Sequence, residues 1–215
     1  MKSLVIFDLD GTLLNTIADL AAATNHALNA MGYPVHSTSA YTAMVGNGVT
    51  KLLERALPVD ARTNRIIEAM RIHFRDYYDS HCADETTIYP GICELLGELT
   101  GRGLHCAVTS NKYQAAVSTL ITHFFPDVPW VAVLGHKDGF PVKPDPSIVF
   151  EALSMCPTPK PEVLYVGDSG VDMETARRAC VDSAGVTWGF RPRQELVEYH
   201  ATHIVSNPDD ILSLL

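Results

Sequence analysis

Residues 3–16 read SLVIFDLDGTLLNT, a short apolar run that ends on two aspartates, Asp8 and Asp10, followed by Gly11. A carboxylate carried toward a protein interior is costly unless it is paired or bound to a cation. The run predicts a buried strand over 3–7, and the acids at its mouth predict a ligand. Four more segments read as short buried strands: 104–109, 130–135, 163–167 and 182–187. Helical patterns beginning near Lys112, Asp145 and Val171 separate them, and such alternation is the mark of a parallel sheet covered on both faces. The fold expected is therefore α/β, a Rossmann-like parallel core of about five strands flanked by helices.

The first strand stands almost a hundred residues before the second. Between them Ile17, Leu20, Ala21, Thr24, Leu28 and Met31 recur at helical spacing, as do Ile67, Met70, Phe74 and Tyr77, with VTKLLERAL as a further helix. The organisation expected is a catalytic core of residues 1–14 and 86–215, with a small helical domain of residues 15–85 inserted after the first strand. YPGICELLGELTGRG (89–103) resumes the core, Pro90 near a helix start and Gly101 and Gly103 near its end.

Composition narrows the functions. The 215 residues carry a formal net charge of -9, which argues against a broad contact with nucleic acid or an anionic membrane. No apolar run approaches a membrane span or a signal-peptide core, so a cytoplasmic protein is expected. Five widely spaced cysteines, Cys82, Cys93, Cys106, Cys156 and Cys180, form no CxxC pair and read as free thiols.

Ligands of open parallel sheets bind beyond the carboxyl ends of the strands. The residues placed there are Asp8 and Asp10, then Ser110 and Asn111, then Asp168 and Asp172, with Lys143 in the loop FPVKPDPS. If the acids converge, each like-charge pair at about 4 Å costs roughly 4 kcal/mol at an effective dielectric of about 20. A hard divalent cation relieves that repulsion, and an all-oxygen donor set with no adjacent histidine or cysteine suits Mg²⁺. Lys143, a point charge, and Ser110, a hydroxyl, suit the oxygens of a phosphate, with Asn111 beside them. One carboxylate of the first pair can attack phosphorus while the other serves as general acid and base. Gly46, Asn47 and Gly48, in a turn of the helical insert, are candidates for contact with the substrate.

Together, DLDGTL, the serine of VTSNK, the lysine of VKPDP and GDSGVD resemble the four motifs of the haloacid dehalogenase-like hydrolase superfamily, in the family's order and over almost the whole chain. The resemblance implies that Asp8 is the nucleophile and Asp10 the general acid/base, with Ser110 and Lys143 holding the phosphoryl group. It implies metal ligation by Asp8, the backbone carbonyl of Asp10 and Asp168, with Asp172 nearby or reaching the ion through water. An aspartate at position 10 separates phosphatases and phosphomutases from the family's dehalogenases, which lack it, and from its ion-pumping ATPases, which carry threonine there. The helical insert is similar to the family's small α-helical cap. MVGNGVTKLLERAL and VTWGFRPRQEL look like phosphoglycolate phosphatases, although Asn15 stands where such members often carry aspartate.

The function expected is Mg²⁺-dependent hydrolysis of a small phosphorylated metabolite through an aspartyl phosphate, with 2-phosphoglycolate among the candidates. The alternatives are a phosphomutase similar to β-phosphoglucomutase, a pyrophosphatase or nucleotidase with the same core, and a catalytically silent phospho-ligand binding protein. Oligomeric state is not readable from the sequence.

Overall fold

The computed structural model describes residues 1–215. Its centre is strand β1, Leu4–Phe7, whose four side chains are all buried. Alternation along the strand sends Val5 and Phe7 into one apolar layer and Leu4 and Ile6 into the other, so β1 lies inside a sheet covered on both faces. Two strands pair with it in parallel. β4 (His105–Tyr113) sets Phe7 against Val108, and β6 (Val163–Gly167) sets Phe7 against Val166.

β5 (Trp130–His136) flanks β4, while β7 (Asp182–Val186) and β8 (His203–Val205) continue beyond β6, giving the order β5-β4-β1-β6-β7-β8. The sheet has six strands, against about five expected. The additional strand, β8, has only three residues and lies at the edge, too short for an alternating pattern to show in sequence. The helices between these strands are α5 (Gln114–Phe124), α6 (Ser147–Met155), α7 (Gly170–Ala179) and α8 (Arg193–Glu198), with α4 (Ile92–Gly101) preceding β4.

A second correction concerns β4. It runs on through Ser110, Asn111 and Lys112, and α5 begins at Gln114 rather than near Lys112. Ser110 therefore cannot cap that helix; its hydroxyl accepts the Lys112 amide instead, at 3.2 Å.

Between β1 and α4 the chain forms a two-residue ribbon and three helices. Strand β2 (Leu14–Asn15) pairs antiparallel with β3 (Thr87–Ile88), and between them lie α1 (Ile17–Ala30), α2 (Val49–Ala56) and α3 (Asn64–His81). The chain thus leaves and rejoins the sheet region at one place. That crossing is fixed by Asp19, a buried carboxylate that accepts from the Glu85 and Thr86 amides and from the Thr86 hydroxyl, the last at 2.7 Å. Four charge-assisted bonds satisfy the buried acid.

α1 packs on α3, with His26 stacked on Tyr77 at 4.6 Å. The turn before α2 is tied to the sheet side by Arg191, whose guanidinium donates to the carbonyls of Thr42 (3.1 Å) and Val45 (2.6 Å).

Candidate active site

At the carboxyl ends of β1, β4 and β6 the sheet and the helical insert enclose a cleft of about 50 Å³. Asp8, 8% exposed, follows the last residue of β1. β6 ends in Gly167, and Asp168 and Asp172 follow at the start of α7. Carboxylate oxygens from Asp8, Asp168 and Asp172 all lie within 4.8 Å of one another. Three acids from two strands therefore converge, as parallel pairing of β1 and β6 requires.

Lys143 is the cation among them. Its ammonium, 2% exposed, lies 2.9 Å from Asp8 and 2.7 Å from Asp172, and also donates to the Thr109 carbonyl and the Tyr165 hydroxyl. Burial opposes its charge, yet Asp172 and Asp8 outweigh that and hold its pKa well above the usual lysine value.

One positive charge does not neutralise three negative ones. Burial, with Asp172 and then Asp10 adding repulsion and Lys143 opposing, pushes the Asp8 carboxyl up to about 7. Burial followed by the charges of Asp172 and Asp8 raises Asp168 well above the carboxylate range, although the Phe190 amide donates to it at 2.7 Å. Asp172 is the most committed of the trio: one oxygen meets Lys143, and the other accepts from the Ser169 amide and hydroxyl in a capping box that starts α7. Asp8 and Asp168 each keep one oxygen without a protein partner. An all-oxygen set of buried acids, with Asp8 and Asp168 held above the usual carboxylate range, fits a hard divalent cation.

Gly11 and Gly189 show how tightly Asp168 is packed. Gly11 has φ +85°, and a Cβ there, or at Gly189, would overlap the Asp168 carboxylate or its Cβ. Glycine at 11 serves both the turn out of β1 and this close approach.

Asp10 lies apart from the trio. Its Oδ1 accepts from the Thr16 hydroxyl at 2.6 Å and meets the Lys112 ammonium at 2.9 Å. Its side chain is thus held by partners outside the trio while still lining the same cleft.

Asn111 serves Lys143. Its Oδ1 accepts the Lys143 amide at 2.8 Å and its Nδ2 donates to the Lys143 carbonyl at 3.1 Å, with a longer contact to the Gly46 carbonyl. These bonds occupy the side-chain amide that was expected beside the phosphate. In the insert, Gly46 and Gly48 line the cleft, whereas Asn47 does not; its Oδ1 accepts from Arg55 at 2.6 Å. Lys112, Thr16 and the Phe190 amide join the site without having been singled out by sequence. Lys112 stands one residue beyond Asn111 in VTSNK, so the rule that ligands gather at strand ends reaches it once β4 has its full length.

The family model for haloacid dehalogenase-like hydrolases matches residues 5–186. The chain belongs to that family. Similar to it over its whole length are the phosphoglycolate phosphatases of Pseudomonas syringae pv. tomato, 30% identical, and Pseudomonas putida, 31% identical, 79% of each being covered. Among solved structures, a protein of Lactobacillus delbrueckii subsp. bulgaricus, provisionally assigned as a phosphoglycolate phosphatase, matches with a TM-score of 0.93 at 32% identity, covering 100% of this chain and 98% of that one. One from Haemophilus somnus, described as a predicted phosphoglycolate phosphatase, has a TM-score of 0.91 at 28% identity, with 99% and 97% covered.

Within the haloacid dehalogenase-like hydrolases the chain is a phosphatase, an enzyme of phosphomonoester bonds. Phosphatases of this family need a divalent metal, and the buried acidic trio is where this chain could hold one. No helix is long and apolar enough to cross a membrane.

Proposed function

We propose that this chain hydrolyses 2-phosphoglycolate or a phosphomonoester of similar size, with Mg²⁺, through a phosphoryl group carried on Asp8. The observation that carries the reading is the separation of the two aspartates: Asp8 shares the buried trio and Lys143, while Asp10 is held aside by Thr16 and Lys112. Asp8, at the strand end, is the nucleophile. Lys143, anchored by Asn111, holds phosphoryl oxygens opposite the attacking carboxylate, and Ser110, 2% exposed in the same cleft, adds a hydroxyl donor. Asp10 gives a proton to the departing oxygen and then takes one from the water that cleaves phospho-Asp8. Asp8, the Asp10 carbonyl and Asp168 would hold Mg²⁺, with Asp172 beside them orienting Lys143. The ion would supply charge neutralisation to the phosphoryl oxygens.

Residues 15–85 act as a cap over a core of residues 1–14 and 86–215. The single crossing at β2 and β3, clamped by Asp19, and the Arg191 and Asn111 bonds to the turn before α2 support this. A cleft of about 50 Å³ is far below the roughly 300–1,000 Å³ of drug-sized sites and favours a leaving group of a few heavy atoms over a hexose. The five unpaired cysteines suit the cytoplasm.

The test is phosphate release from 2-phosphoglycolate with and without Mg²⁺, in wild type and Asp8→Asn. Turnover should require the ion and vanish in the variant while its circular dichroism stays native. Turnover retained by Asp8→Asn would remove Asp8 as nucleophile.

A further inference from the structure

Two polar side chains in the cleft keep donors that this chemistry does not use. Lys112, next to last in β4, has a buried ammonium, the side chain 4% exposed, that pairs with Asp10 at 2.9 Å and lies beside the Tyr78 hydroxyl. An ammonium carries three donors, so at least one is left over. Tyr78, on α3 and fully buried, has a hydroxyl with no hydrogen-bond partner in the protein. Both residues line the cleft, and the Lys112 ammonium lies over the Tyr78 ring, 4.9 Å from its centre. A buried hydroxyl left without a partner costs stability, so its presence asks for a ligand.

The surroundings indicate which ligand. Of the residues that the insert contributes to the lining, only Tyr78 has a polar side chain; the others are aliphatic, glycine or Phe74. A polar atom of a leaving group pressed against this wall has Tyr78 and Lys112 to bond and little else. Position matters as well. Lys143 bridges Asp8 and Asp172 and so faces the phosphoryl side, whereas Lys112 meets Asp10, the residue that protonates the departing oxygen.

We infer that Lys112 and Tyr78 form a subsite for an anionic oxygen, a carboxylate, on the leaving group. This rests on the proposed roles of Asp8 and Asp10 and adds the residues that select the ester. A hydrogen bond to a charged group contributes about ten- to a hundredfold in affinity.

The test compares kcat/KM for 2-phosphoglycolate with that for 2-hydroxyethyl phosphate, which has a neutral alcohol where the acid was, in wild type, Tyr78→Phe and Lys112→Met. The preference for the acid should fall about tenfold in Tyr78→Phe and at least as far in Lys112→Met. Because the Tyr78 hydroxyl has only the Lys112 ammonium beside it, Tyr78→Phe should fold and melt much like wild type. A preference unchanged in both variants, or a loss shared equally by the two esters, would overturn the inference and leave Lys112 as a partner of Asp10 alone. Calorimetric binding of glycolate gives a readout without turnover and should weaken by a similar factor in each variant. Were wild type to hydrolyse neither ester, the proposed catalytic roles would fail, and the glycolate measurement alone would decide the subsite: weakening supports it, equal binding in all three proteins refutes it.

Discussion

Replacing Asp8 by Asn in metal-free protein should stabilise the fold at pH 8 while destroying the activity. Asp172, within 4.8 Å of Asp8, costs about 3–4 kcal/mol at an effective dielectric of about 20, Asp10 adds to that repulsion, and Lys143 at 2.9 Å returns about 6. The pair contributions nearly cancel, which leaves desolvation of a buried carboxylate as the net penalty. That agrees with burial being the largest cause of a pKa pushed up to about 7 from 3.8. Such a rise, at about 1.4 kcal/mol for each pH unit, gives roughly 4 kcal/mol, an upper figure for the charged form.

The sign follows from where the proton sits. A carboxyl whose folded pKa is raised favours the folded state when protonated in both states, below about 3.8. The advantage is lost as pH climbs from there to about 7, and the penalty is then constant. Asparagine is neutral throughout. Asp8→Asn should therefore gain about 2–4 kcal/mol at pH 8, a rise in Tm of about 5–15 °C for a chain of this size, shrinking below about 1 kcal/mol near pH 4. Scanning calorimetry from pH 4 to 8 in chelator checks this. Excess Mg²⁺ should narrow the gap at pH 8, because the ion binds wild type better than the variant. A variant less stable than wild type at pH 8, or a gain that does not change with pH, would refute the reasoning.

Other variants test the remaining parts of the site. Asp10→Asn should lower both the burst of released alcohol that accompanies phospho-Asp8 formation and the steady-state release of phosphate by about 10²–10⁴-fold, since one residue serves both proton transfers; rapid-quench kinetics would separate the two steps. Asn111→Ala removes both bonds that hold the Lys143 backbone, and should raise KM about tenfold while costing about 1–2 kcal/mol in urea denaturation. Gly11→Ala forces a Cβ into the Asp168 carboxylate at φ +85° and should weaken Mg²⁺ binding, read by calorimetry, with about 1–3 kcal/mol lost from the fold.

Much of the site is legible in the sequence, because Asp8, Ser110, Lys143, Asp168 and Asp172 each fall just past an apolar run or in a short loop beside one. Parallel strands bring their carboxyl ends together whatever the intervening sequence, so position along the chain becomes position in space. Asn111 and Asn47 are illegible for the complementary reason. Each belongs to the segment expected of it, but its side chain has a near neighbour, Lys143 or Arg55, that only packing reveals.

By itself the sequence determined the layers, the insert and the gathering of acids at one sheet edge, since these follow from hydrophobic period and strand direction, both written locally. Tertiary structure alone decided the partners. The two lysines are of one residue type and both are buried. Lys143 joins the acidic trio and Lys112 joins Asp10 and Tyr78, because one rides on a loop beside α7 and the other lies near the end of a strand facing α3. Buried charges take whichever counter-charge the fold sets within about 3 Å, and that distance is a property of the packed chain.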